Sequence, residues 1–462
     1  MTATATPRRV SPARAQSNDQ TMHRRAIEAA IWGMPVVNFE LMYEEMVRKL
    51  GGRFNQILFW SKLLDWKNQT LTPNPDVIYL MPFFDTSDVG PIVLEVPPAD
   101  DGVFNGSVMD CWQAAIEDIG PGGVDRGNGG KYLILPPQYD AHGVPAGYIP
   151  LASDTYRGYA LIRSILKSTS AQDVATAVAY ARRLKLYPLS RADNPPTTTF
   201  VDASDVVFES AIPYDSRFYE TLDHVVQVEP WLERDRAMID QLKSIGIARG
   251  TQFNPPAATR RVLDSAILEA KDELDAAFDE IPPFYDDGQW VFPVTEELQK
   301  SVMSFFQSPD SYPVDTRGSL YTFAFFSARH AGKAQFYLMA TRDSDGAPLD
   351  GSGTYRLTVP GNAPVSQYWS ITVYDHATHT FVRNTSRVGR SSQTPNLTVE
   401  GDGSVELWLS PDAPADAAAN WIQTNDGGEF ELLARFYGPK PALFDKSWRL
   451  GDVERVAPAA DG

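Results

Sequence analysis

The chain has 462 residues, too many for one ordinary core, so two or three domains are expected. Hydrophobic residues make up 43%, which suits a folded globular protein, while a net charge of −18 and a pI near 4.8 exclude the basic face that nucleic acid or an anionic membrane surface requires. Cys111 is the single cysteine, so neither an intramolecular disulfide nor a thiolate metal cluster can form.

In chain order, residues 1–20 read as a disordered leader rich in Ala, Ser, Thr, Pro and Arg. Its twin arginine, Arg8 and Arg9, is followed by no apolar run, so no signal peptide is spelled. Cytoplasm is the default expectation, with a secreted or periplasmic location if a native signal was removed. No run approaches the ~20 apolar residues of a membrane span.

From Thr21 the spacing predicts a helix, kinked before Pro35 and closed by the pair Gly51–Gly52. Short β-rich runs follow at 77–84, 92–96, 104–116 and 131–135, punctuated by Pro, Asn and Asp, as in an antiparallel sheet. The Gly-rich loop between the last two lacks a Gly-Lys-Ser/Thr ending, so it is expected to be a wide hairpin connection and not a phosphate cradle. Ser170–Asp173 resembles a capping box, and further helices are expected at 231–246, 257–278, 295–307 and 317–331. The last quarter then alternates apolar and polar residues in QYWSITVYD, GDGSVELWL, NWI and ELLARFYGP, the pattern of antiparallel strands with one face buried.

The C-terminal block, through DSDGAPLDGSGTYRLTV, QYWSITVYD, DGSVELWL, NWI and FELLARFYGP, resembles the bacterial domain of unknown function numbered 1214. The N-terminal block resembles the domain of unknown function numbered 1254, through AIWGMPVVNFELMY, TPNPDVIY, VLEVPP, GGKYLILPP and KLYPLS. The resemblance implies an α+β N-terminal region followed by a jelly-roll-like β-sandwich. The expected organisation is a leader at 1–20, an α+β domain at 21–165, a helical segment packed on it at 166–340 and a sandwich at 341–455.

No motif spells a reaction: there is no nucleophile elbow, dinucleotide fingerprint or zinc-protease helix. Candidate chemistry therefore rests on isolated polar groups. TPNPDVIY sets Asn74 and Asp76 beside prolines at a strand entrance with Tyr79 three residues on. That is either an acid/base constellation or an Asx turn. Asp110 and Trp112 flank Cys111 and share the opposite strand face, where a carboxylate and an indole could line a pocket. His330 lies in an apolar stretch with Arg329 and Lys333 and is either a core residue or a proton-transfer group. Tyr374 and Arg435 belong to sandwich strands and are candidate substrate contacts. Asp375 and Arg435 read as a buried ion pair if they face inward. His376 and His379 form H-x-x-H in a turn, but two histidines need a third ligand, so no metal is expected. The loop 342–351, with Asp343, Asp345 and Asp350, lacks the late Glu of a calcium loop and reads as a hairpin.

The expected function is a cofactor-independent hydrolase or lyase acting on a small or sugar-like molecule in an aromatic-lined interdomain cleft. Asp76, Tyr79, Asp110 and His330 would be catalytic, and Asn74, Trp112, Tyr374 and Arg435 would bind substrate. A non-catalytic carbohydrate- or lipid-binding sandwich and an oligomeric structural unit are the alternative readings.

Overall fold

A computed structural model describes residues 12–140, 143–304, 306, 308–323, 328–330, 335–415, 417–425 and 427–456. The class is α+β, as expected. The first helix, Pro12–Leu50, begins nine residues before Thr21, so part of the segment expected to be a disordered leader is helical. Ala13, Ala15 and Gln16 are good helix formers, and proline suits a first turn. Pro35 lies inside this helix, and Gln113 Nε2 donates to its carbonyl (2.7 Å). Two left-handed or capping contacts end the helix: Gly51 N donates to Val47 O and Gly52 N to Met46 O.

This helix packs against the helices Arg217–Val228, Ala257–Asp279 and Val314–Phe323, and against a six-stranded sheet. The sheet order is Phe200–Asp202, Gln56–Phe59, Val77–Asp85, Arg157–Ile165, Phe104–Asp110, Ala115–Ile119. A second sheet orders Lys185–Pro188, Ile92–Val96, Gly130–Leu135 and Tyr148–Ala152. Strands at 185–188, 200–202 and 208–209 pair back into N-terminal sheets, so the segment 166–340 is helical only in part. The loop after Ala115–Ile119 is not the hairpin expected: it crosses from the six-stranded sheet to Gly130–Leu135 in the second sheet, organised by Asp125, whose carboxylate accepts from Gly120 N (2.8 Å) and Gly129 N (3.1 Å). Ser170 caps the Ala171–Ala181 helix by accepting from Asp173 N.

The C-terminal part is a two-sheet sandwich. Gln335–Ala340, Phe430–Tyr437, Trp369–Asp375 and Thr380–Phe381 form one sheet in that order, with Gly389–Ser391 also on Trp369–Asp375. Trp421–Gln423, Val405–Ser410, Tyr355–Val359 and Glu454–Arg455 form the other. Period-two alternation divides the central strand cleanly. Phe430, Leu432, Ala434 and Phe436 enter the sandwich core with Leu357, Ile371 and Leu407. Leu433 and Tyr437 point the other way and join the N-terminal core. All eight residues of Phe430–Tyr437 are buried, so this strand has two covered faces where the sequence pattern suggested one. The N-terminal domain covers the outer face, and it does so where that face carries polar side chains: Ser370, Thr372, Glu431 and Arg435. The functional question lies in that seam.

Candidate functional site at the interdomain seam

Residues 68–76, NQTLTPNPD, run through the seam toward the strand Val77–Asp85. Pro73 and Pro75 withhold amide donors, so side chains and carbonyls must organise the segment. Thr72 has φ +38°, although a β-branched residue before proline strongly prefers extended backbone. Such strain costs on the order of 1–3 kcal/mol and persists only where the surroundings over-determine it. Here they do: Thr72 N donates to His379 O (2.8 Å) and Thr72 O accepts from Arg435 Nη2 (2.8 Å).

Asn74 is the polar hub. Its Nδ2 donates to Tyr368 Oη (3.1 Å) and Tyr437 Oη (2.7 Å), two stacked rings of the sandwich. Its Oδ1 accepts from Asp76 N (2.9 Å), which is the Asx turn weighed from the sequence, and its backbone N–H donates to Tyr79 Oη (3.2 Å). The local turn and the interdomain contact are thus made by one side chain.

Beside this hub lies a partly open cavity of about 20 Å³, room for one or two water molecules. Thr72, Tyr79 and Arg163 line it from the N-terminal domain, and Tyr337, Leu433 and Arg435 from the sandwich. Met42, Leu64, Leu71, Met81 and Leu161 give it an apolar side, and Asn68, Thr70 and Pro73 complete the lining. Arg435, 2% exposed, donates to Thr72 O, to Tyr374 Oη (2.6 Å) and to Thr372 Oγ1 (3.1 Å). The Tyr374 hydroxyl in turn donates to Pro73 O (2.6 Å). Arg163, 7% exposed, donates from Nε to Tyr79 Oη (3.4 Å), and its guanidinium lies over the Tyr79 ring. Among the described residues neither arginine forms an ion pair with a carboxylate. Tyr79 Oη thus accepts from both Asn74 N and Arg163 Nε, which leaves its single O–H for the cavity.

Asp76 sits one layer back. One carboxylate oxygen accepts from Ser391 Oγ (3.0 Å) and the other is buried without a hydrogen-bond partner. Burial pushes its pKa up to about 6, against the opposing effects of the Ser391 hydrogen bond and the charges of Arg435 and Arg390. It does not line the cavity.

The structure brings Asn74, Asp76, Tyr79, Tyr374 and Arg435 together and places the other sequence candidates elsewhere. Asp110 accepts from Ala114 N (2.8 Å) to shape the turn after its strand. Trp112 packs on Trp32 with ring centroids 4.6 Å apart, and its carbonyl is held by Arg317. Cys111, buried between them, has its thiol pKa raised by burial, which disfavours the reactive thiolate. His330 is not on a helix, because the helix expected at 317–331 is Val314–Phe323. Its N–H donates to Asp118 (2.7 Å) and its ring lies 3.2 Å from Glu117, while Lys333 falls outside the described residues. The expected Asp375–Arg435 pair does not form. Arg435 stands opposite Ser370 and Asp375 opposite Phe430, so the two lie at different levels of the ladder, and Asp375 instead accepts from Thr378 N and Oγ1. The loop 342–351 is a turn, with Asp343 Oδ1 accepting from Asp345 N and Ala347 N.

Sequence reasoning missed Arg163, Thr72, Tyr337, Tyr368 and Tyr437. Arg163 did leave a signal: it is the lone charge in the apolar run GYALIRSI.

Family models match the chain twice. A model described as a protein of unknown function, DUF1254, covers residues 54–188, and a second so described, DUF1214, covers residues 334–441. The chain belongs to the two-domain family in which a DUF1254 domain precedes a DUF1214 domain. No curated protein matches it in sequence. Among solved structures, the VPA0106 protein from Vibrio parahaemolyticus is similar at a TM-score of 0.59 and 17% identity, over 94% of this chain and 100% of that one. That likeness shows a shared fold. An uncharacterised protein from Burkholderia cenocepacia is similar at a TM-score of 0.41 and 10% identity, over 96% of each chain. Among the described residues no helix is long and apolar enough to cross a membrane.

Proposed function

We propose that the seam cavity is a receptor for the anionic group of a small organic molecule, a carboxylate or similar oxyanion. One observation carries this reading: two buried arginines, one from each domain, border one cavity and neither is ion-paired among the described residues, Arg163 having only tyrosines about it and Arg435 feeling Asp76 only through its field. A buried cation without a counter-charge costs several kcal/mol, and a bound anion removes that cost. Two guanidinia also offer the forked donors that suit planar oxyanions. The apolar wall would take the rest of a short molecule. At about 20 Å³ the chamber accepts only a few heavy atoms without movement, so a larger substrate requires the domains to part along the seam.

Turnover of hydrolase or lyase type, without a cofactor, is the activity we propose there. Tyr79 is the proton donor, since its O–H is left for the cavity and the two arginines would stabilise negative charge developing on the substrate. Asp76 serves from behind as the group that sets the protonation of the seam. A thermal-unfolding screen tests the binding. Acetate, oxalate and pyruvate should raise the midpoint where acetamide and other neutral isosteres do not, and Arg163→Gln should abolish the difference. Equal responses to acids and amides would defeat the reading.

A further inference from the structure

The H-x-x-H turn that lacked a third ligand in the sequence acquires one in the fold, and we propose that His376, His379 and Glu431 bind a divalent transition-metal ion of the zinc class. Glu431 lies on the outer face of the central sandwich strand, directly opposite Tyr374 in the ladder, and is completely buried. The turn after Asp375 folds back over it. His376 Nδ1 stands 3.0 Å from Glu431 Oε2, and His379 Nδ1 stands 2.9 Å from the same oxygen and 3.0 Å from Oε1. The three donor atoms all lie within 4.8 Å of one another. Zinc–nitrogen and zinc–oxygen bonds of about 2.0–2.2 Å put neighbouring tetrahedral donors roughly 3.3–3.6 Å apart, so the ion needs this set to spread by roughly half an ångström.

Three further observations point to a ligand. The turn is built at a cost, because His379 has φ +54°, and that conformation aims its ring at Glu431. His379 is 1% exposed, and its Nε2 has no hydrogen-bond partner. With Nδ1 on a metal, Nε2 carries the ring proton beside the Phe323 ring, 4.5 Å away between centroids, and no lone pair is stranded there. Finally, Asp275, whose Oδ2 is paired with Lys271 (2.5 Å), adds to the negative field at His376 and keeps a buried Oδ1 without a hydrogen-bond partner, so the surroundings favour a cation. Two neutral imidazoles and one carboxylate leave a fourth position for a water. The ion would also pin His379, whose carbonyl holds Thr72 at the edge of the seam cavity. This site is separate from the anion cavity, and either can fail alone.

The test uses the full chain, free of any histidine tag and stripped with a chelator, titrated with zinc chloride by calorimetry and with cobalt(II) by visible absorption. We expect one ion per chain, tetrahedral-type cobalt bands and a raised unfolding midpoint with zinc. His376→Ala, at a partly exposed position, should weaken binding at least tenfold while the protein stays folded, and Glu431→Gln should abolish it. If Glu431→Gln does not fold, the His376→Ala and His379→Ala results decide. Failure of the wild type to take up one ion, or unchanged uptake in both histidine variants, overturns the proposal.

Discussion

Arg163 and Arg435 reach one cavity from opposite domains, Arg163 held by the Tyr79 hydroxyl and Arg435 by the Thr72 carbonyl and the hydroxyls of Thr372 and Tyr374, with no ion pair to a carboxylate among the described residues. The two are not equivalent. Arg435 fastens Thr72 O and Tyr374 into the seam, whereas Arg163 touches only Tyr79 through hydrogen bonds and its ring.

That difference predicts opposite stability effects. Arg163→Met removes an uncompensated buried charge and keeps the volume, so the anion-free protein should be unchanged or more stable, by up to about 1–4 kcal/mol. Arg435→Met strands Thr72 O and should destabilise by about 1–3 kcal/mol. Urea unfolding of both variants in an anion-poor buffer checks the contrast, and a large loss for Arg163→Met would show that this arginine has a counter-charge.

Asp76 predicts a pH dependence. Its pKa is about 6 in the folded protein against 3.8 for the free group. The native state therefore holds a proton that the unfolded chain releases, and stability falls as pH rises from about 4 to 6, then levels. The penalty above that window is about 3 kcal/mol, since each pKa unit is worth ~1.36 kcal/mol. Glu229, pushed up to about 7 by burial, adds a slope of the same sign. Asp76→Asn should raise stability at pH 8 much more than at pH 4, which midpoints at the two pH values measure against the wild type. An equal effect at both would remove Asp76 as the titrating group.

Asn74→Ala leaves the hydroxyls of Tyr368 and Tyr437 and the N–H of Asp76 without their partner at the seam. With each unmade buried hydrogen bond costing about 1–3 kcal/mol, we expect a loss of at least 2 kcal/mol. Hydrogen exchange should rise on both sides of the seam, in 68–76 and in 430–437. Exchange confined to 68–76 would mean that Asn74 serves only its own turn.

Gly106 crosses the Arg157–Ile165 strand so closely that a Cβ would lie 2.3 Å from Leu161 O and 2.8 Å from Ile162 Cα. Both atoms are backbone in the middle of a sheet and cannot retreat alone. Gly106→Ala should therefore cost more than about 2 kcal/mol and perturb Leu161, which lines the cavity from the neighbouring strand. A midpoint within one degree of wild type would refute this tight approach.

Local chemistry was legible in the sequence. The alternation in Phe430–Tyr437, the Ser170 cap and the Asn74–Asp76 turn all act through residues within a few positions of one another. What the sequence could not display was which strand face another domain would cover. Arg435 read as one half of an ion pair because a buried arginine ordinarily has a carboxylate. Its partners are instead Thr72 O, 363 residues away, and two side chains of the neighbouring strand. Glu431 escaped notice as a ligand for the same reason, since only strand register places it under His376 and His379. His330 misled because an apolar run reads as helix whether or not the chain continues one.

The central claim is that an anion is seated between Arg163 and Arg435. Anomalous diffraction from crystals soaked in bromide tests it most directly, because bromide is small enough for a cavity of about 20 Å³ and identifies itself by its scattering. A bromide peak contacting both guanidinia and Tyr79 Oη is expected in the wild type, and its loss in Arg163→Gln. Bromide found at surface arginines but not in this cavity would contradict it.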